Sequence, residues 1–164
     1  MRPRSHARRV AVATAALALA AGACSGDGGP PRDDEGRLTK ATDLAVFDLQ
    51  PGDCLSPDDE VTAELETVRA VPCSEPHVHE VFALVTWEDG DTFPGQAELA
   101  DFADAACIAE FADYVGVDYL DSTLFHSYLL PTLRSWDERA DRTIVCLASS
   151  AGEPLQGSSR GSER

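Results

Sequence analysis

The chain has 164 residues, with 13 basic and 29 acidic side chains and a formal net charge of −16. So acidic a surface repels phosphate backbones and anionic headgroups, which excludes nucleic acid as a partner and leaves solubility, a basic partner or divalent cations as readings of the charge. Twelve of the basic residues are arginine and the single lysine, Lys40, precedes the expected domain, so Schiff-base and phosphate-loop chemistry are excluded from it as well.

Four arginines at positions 2, 4, 8 and 9 lead into an uncharged run from Val10 to Ala23, followed by Cys24. A charged n-region, an apolar h-region and a small-residue cleavage site predict an export signal over residues 1–23. The run is too short for a spanning helix, which takes about 20 apolar residues. The stretch Leu19-Ala20-Ala21-Gly22-Ala23-Cys24 resembles a bacterial lipobox, although Ala21 stands where leucine is usual; the alternative is plain secretion with a spare thiol. Acylation of Cys24 implies a lipid anchor at the outer face of the plasma membrane, since two acyl chains hold where one is marginal. Cleavage removes four basic residues and no acidic ones, leaving nine against 29, or −20.

Residues 24–42, rich in Gly, Pro and charge, are expected to form a disordered tether spanning about 20–25 Å. The domain is expected over residues 43–155, with a loose tail over 156–164. Val46 and Leu49 lead as a strand into the turn Pro51-Gly52-Asp53, and the segment ETVRAVPC, Glu66 to Cys73, alternates as a second strand closed by Pro72. His79 to Trp87 is β-branched and aromatic enough for a third. Pro94-Gly95 opens a helix from Gln96 to Tyr114, with Leu99, Phe102, Ala106 and Ala109 on one face and Cys107, Phe111 and Tyr114 beside them. Two further strands, 124–130 and 142–147, flank a loop or short helical turn near Ser135 to Ala140. The fold class is therefore α+β, a small antiparallel sheet with one main helix packed on it.

Setting Cys24 aside leaves four cysteines, which predict two disulfides in an oxidising compartment and admit three connectivities. Their spacings do not suit zinc. Cys54 and Cys73 end neighbouring strands while Cys107 faces the sheet from the helix, so the expected pairs are Cys54–Cys73 and Cys107–Cys146. On the chain-entropy model such loops stabilise by roughly 3 and 4 kcal/mol.

The blocks VFDLQPGDCL, VPCSEPHVHEVFALV, FPGQAEL, YLLPTLRSW, DRTIVCL and GEPLQGSSRGS, in that order, resemble the septum formation domain family of actinobacterial envelope proteins. The resemblance implies an extracytoplasmic module connected with cell division and implies no chemistry. His77 and Glu80 belong to the resembled pattern; His79 is an addition of this chain.

His77, His79 and Glu80 are the candidate contact residues for a partner or a metal. In an extended segment Glu75, His77 and His79 share one face, a two-histidine, one-carboxylate set suited to a transition metal. The bland alternative is that His77 and Glu80 satisfy backbone groups near the Cys73 turn. His79-Glu80 begins a zincin-like sequence, but Ala83 occupies the second histidine position. No serine elbow, cysteine–histidine nucleophile or phosphate loop is present, so neither catalytic residues nor a cofactor is expected. Trp87, Phe93 and Trp136 suit either glycan stacking or rim packing, and Asp141 with Arg142 suits an ion pair at a turn. The expected function is a non-enzymatic, lipid-anchored binding or scaffolding module whose partner is an envelope or division protein or the cell wall. The alternative is a metal-dependent or wall-modifying enzyme using His77 and His79.

Overall fold

The computed structural model describes residues 29–56 and 66–164. The predicted signal, Cys24 and the first part of the predicted tether lie outside the described residues. Among the described residues no helix is long and apolar enough to cross a membrane.

Eight elements follow in order: β1 (Thr42–Ala45), β2 (Cys54–Leu55), β3 (Thr67–Val71), β4 (His79–Thr86), α1 (Gln96–Val115), β5 (Leu124–Leu129), α2 (Leu133–Arg139) and β6 (Thr143–Ser150). The strands form one six-stranded antiparallel sheet in the order β1-β3-β2-β4-β6-β5. Because side chains alternate along a strand, β6 sends Ile144, Cys146 and Ala148 to one face and Val145 and Leu147 to the other. The first face receives α1 through Leu99, Ala103, Cys107, Phe111, Tyr114 and Val115. The second is covered by Leu38, Leu49 and Val46 over Leu44, Leu55, Val68, Ala70 and Val81. A register shift between Val81 and Ala83 turns Phe82 and Ala83 both toward the helix.

Gly95 and Gly116 bound α1, and Gly116 adopts the left-handed conformation at φ 93°, where its N–H donates to the Ala112 carbonyl. The shorter α2 opens with a reciprocal capping box between Thr132 and Ser135. Both expected disulfides are present. Cys107–Cys146, with Cα atoms 5.6 Å apart, ties α1 to β6 through the middle of the first core. Cys54–Cys73, at 5.3 Å, ties β2 to the turn after β3.

Four expectations need correction. The strand expected over Val46 to Leu49 is instead a 3-10 turn, Val46–Asp48, with the strand just before it at Thr42–Ala45. The inward stripe of α1 runs 99-103-107-111 rather than through Ala109, which is exposed, because the disulfide at Cys107 sets the helix rotation. The tether does not extend to residue 42. From Pro31 the chain folds back on itself, Thr39 N–H donating to the Pro31 carbonyl, Arg32 bridging Leu38, and Leu38 buried on the second sheet face. Nor is 156–164 loose: it lies across the end of the sheet and α1, with Ser159 fully buried. In both segments polar contacts to buried carboxylates supply what apolar burial does not.

Candidate functional site

The chemistry-bearing residues gather where β2, β4, the end of α1 and residues 155–163 meet. Glu80 pairs across β4–β6 with Ala148 and across β4–β2 with Cys54, so its side chain points to the α1 face. There it is fully buried, and four donors converge on it. Oε1 accepts from the Tyr114 hydroxyl at 2.7 Å and from the Ser158 hydroxyl, and Oε2 accepts from both the N–H and the hydroxyl of Ser159. A carboxylate has about four lone-pair directions, so these donors saturate it. Burial, followed by the adjacent Glu80 carboxylate, pushes the Tyr114 phenol far above its ordinary value, so Tyr114 stays a donor. The Arg160 guanidinium stacks over the Tyr114 ring, 4.2 Å from its centroid.

Backbone contacts hold residues 155–163 in place as a strap across this site. His77 and Leu155 exchange N–H to carbonyl bonds at 3.0 and 2.7 Å, and Gly157 N–H donates to the Cys73 carbonyl. Gly161 and Glu163 donate to the carbonyls of Tyr114 and Val115, two of the carbonyls that a helix leaves unpaired at its end. The strap is thereby the C-terminal cap of α1.

The expected alignment of Glu75, His77 and His79 does not form. Residues 73–76 make a turn, with Glu75 N–H donating to the Pro72 carbonyl, so the alternation on which that alignment rests is lost. Glu75 is exposed and His77 is fully buried. His77 Nδ1 lies 2.9 Å from the Glu75 carbonyl, which can only accept, so Nδ1 carries a proton; Nε2 is buried with no partner among the described residues. His79 pairs with Leu55 and faces the opposite side of the sheet from Glu80. Burial pushes its imidazole below the ordinary value. Among the described residues, the ligand atoms within 4.8 Å of one another are the sulfurs of Cys54 and Cys73 and a carboxylate oxygen of Glu80. The two sulfurs are joined in the disulfide and offer no thiolate.

A second buried carboxylate lies next to this site. Asp53 accepts from both terminal nitrogens of Arg32, at 2.6 and 2.9 Å, and from the Gln50 N–H. This bidentate pair fixes residues 31–39 as the strap fixes 155–163. Nothing in the local sequence announces it, because the partners are 21 residues apart.

The remaining candidates are structural. Trp87 and Trp136 are buried rather than displayed for stacking, each donating its indole N–H to a backbone carbonyl, of Asp89 and Asp91, while Phe93 packs edge-on to Trp136. Asp141 and Arg142 do not pair with each other's side chains. Asp141 accepts from Ser135 and Thr143, and Arg142 stacks 3.5 Å over Trp136 while donating to three carbonyls.

The class that these features define is a small α+β domain with two disulfides, its flanking segments fastened by buried carboxylates. The septum formation family matches residues 23–146, and the chain belongs to that family. Membership points to cell division and the envelope as the setting of its role. No curated protein and no solved structure matches the chain. Ser158 and Ser159, which complete the Glu80 site, lie beyond the matched stretch.

Proposed function

We propose that this protein is a rigid, non-enzymatic binding or scaffolding module of the cell envelope, held by acyl chains on Cys24 at the extracytoplasmic face of the plasma membrane. The observation that carries the proposal is the saturation of Glu80. The most chemically able group in the domain is fully engaged by Tyr114, Ser158 and Ser159, which suits a part that holds shape. Two disulfides and the family's connection with septum formation support the same reading. Its partner is an envelope or division protein, or the wall itself.

The test is complementation of a deletion strain together with cell fractionation. Cys24→Ala should move the protein from the membrane to the soluble fraction and impair function; membrane retention refutes the anchor. His79→Ala, a change at the half-buried histidine, should complement fully. If it abolishes function while the protein stays folded and membrane-bound, the metal-dependent or wall-modifying enzyme takes the place of the module.

A further inference from the structure

The two edges of the sheet are protected very differently. β1 is four residues long and carries Asp43, exposed and paired with Arg69, the short charged form by which edge strands resist pairing. β5 has the sequence LFHSYL, in unbroken register with β6 over all six residues, with no proline, lysine, arginine or carboxylate. Among the described residues, the backbone groups of Phe125 to Leu129 bond only within the β5–β6 ladder. Half of them therefore face outward as a row of donors and acceptors that no described residue pairs.

The borders of this edge carry both charge and apolar surface. Asp104 is 56% exposed and its carboxylate stands 3.9 Å from His126 of β5. Asp101 stands three residues before Asp104 on α1, and so on the same face of the helix, and burial, then Asp104 and Asp101, push the Tyr128 phenol of β5 upward. No arginine or lysine pairs with either aspartate among the described residues. Ile108, one turn beyond Asp104 on α1, is 41% exposed. Phe125 is 51% exposed on β5, and Leu120 is 93% exposed next to Tyr119, whose ring packs 4.9 Å from His126.

We infer that β5 is the docking edge of the module, and that it takes an extended segment of another protein as a seventh strand. The segment carries arginine or lysine on the side facing Asp101 and Asp104 and an apolar residue beside Phe125. Backbone pairing supplies affinity in such strand addition and the alternating side chains supply specificity. A second copy of this chain is the wrong occupant, because it brings a second pair of aspartates and a second strongly negative net charge, −16 before cleavage of the predicted signal, to the same edge. The inference rests on the module reading above and names the partner's chemistry.

The probe is a capped heptapeptide of alternating arginine and valine, added to the full, isotopically labelled chain at low ionic strength. Saturable binding should shift and protect the amides of Phe125 to Leu129. N-methylation of alternate peptide nitrogens, made in both registers, should abolish binding in one register while leaving the charge unchanged. Asp101→Asn combined with Asp104→Asn, both at exposed positions, should weaken binding about tenfold, the size of two exposed ion pairs. Equal binding by both N-methylated peptides, shifts spread over the acidic surface, the absence of saturable binding, or self-association through β5 would each overturn the inference. The peptide assay is independent of the complementation test. Loss of peptide binding leaves a module that docks elsewhere, whereas an essential His79 removes the module and leaves the edge measurement standing.

Discussion

Asp53, just before β2, and Glu80, on β4, are both buried carboxylates, yet they are held in opposite ways. Asp53 is held by a full positive charge, the bidentate guanidinium of Arg32. Glu80 is held by neutral donors, three hydroxyls and one backbone N–H. Each fastens a flanking segment to the domain: residues 31–39 through Asp53 and residues 155–163 through Glu80. The difference shows that this fold retains two polar flanks without apolar repeats in them, by making each flank the counterpart of a carboxylate that must not be left alone in the interior.

The comparison is broken most severely at its charged member. Arg32→Ala leaves the Asp53 carboxylate buried with the Gln50 N–H, and should destabilise by about 3–5 kcal/mol, the range for removing one partner of a buried ion pair. Urea unfolding measures this directly, and a loss below about 1 kcal/mol would mean that Asp53 is reached by water. Glu80→Gln keeps the shape but turns an NH₂ group toward donors, so we expect a loss of about 2–3 kcal/mol, the cost of unsatisfied buried polar groups. Amide exchange at Gly161 and Glu163 should accelerate in that variant, whereas Arg32→Ala should leave them slow.

Tyr114→Phe removes one of four donors and is the milder change, expected to cost about 1.5 kcal/mol, the low end for a hydrogen bond to a charged acceptor. A double-mutant cycle with Glu80→Gln sharpens the assignment, because strict additivity would mean that the two side chains do not act through each other. The smallest effect is a pH dependence. The Tyr114 phenol is raised from an ordinary value of 10.0, so the folded state retains the proton that the unfolded chain loses. Its contribution is therefore intact below about pH 10 and is lost as pH rises from there toward the folded value. Stability profiles of the native protein and Tyr114→Phe should differ in slope above pH 10; parallel profiles would remove Tyr114 as the cause.

The apolar framework was legible in the sequence because its signals are local. The α1 span was readable from the Pro94-Gly95 opening, the 3.6-residue periodicity and Gly116. The two disulfides followed from placing Cys54 and Cys73 at strand ends and Cys107 on a helix facing β6. The rotation of α1 was less legible, since alanines at 103, 106 and 109 are too small to mark an inward face by themselves. The candidate site was legible only in part: Glu80 and His77 stood out, but Ser158 and Ser159 sit in a Gly/Ser-rich stretch whose only buried apolar residue is Leu155. Composition measures the capacity for apolar burial, whereas this stretch is retained by hydroxyl and N–H donors to a carboxylate 78 and 79 residues away. The same blindness hid the Arg32–Asp53 pair.

The position of the strap also sets a schedule for folding. Glu80 stands at the middle of the chain, whereas Ser158 and Ser159 lie 78 and 79 residues further on, near its end. Until they dock, the first sheet face can collapse onto α1 only with a partly unpaired carboxylate at its end and with the last carbonyls of α1 uncapped. Loop closure over such separations is slow compared with local helix formation, so the strap is the last piece to arrive. A chain stopped short of residue 158 has every strand and both helices, yet of the four donors around Glu80 it keeps Tyr114 alone.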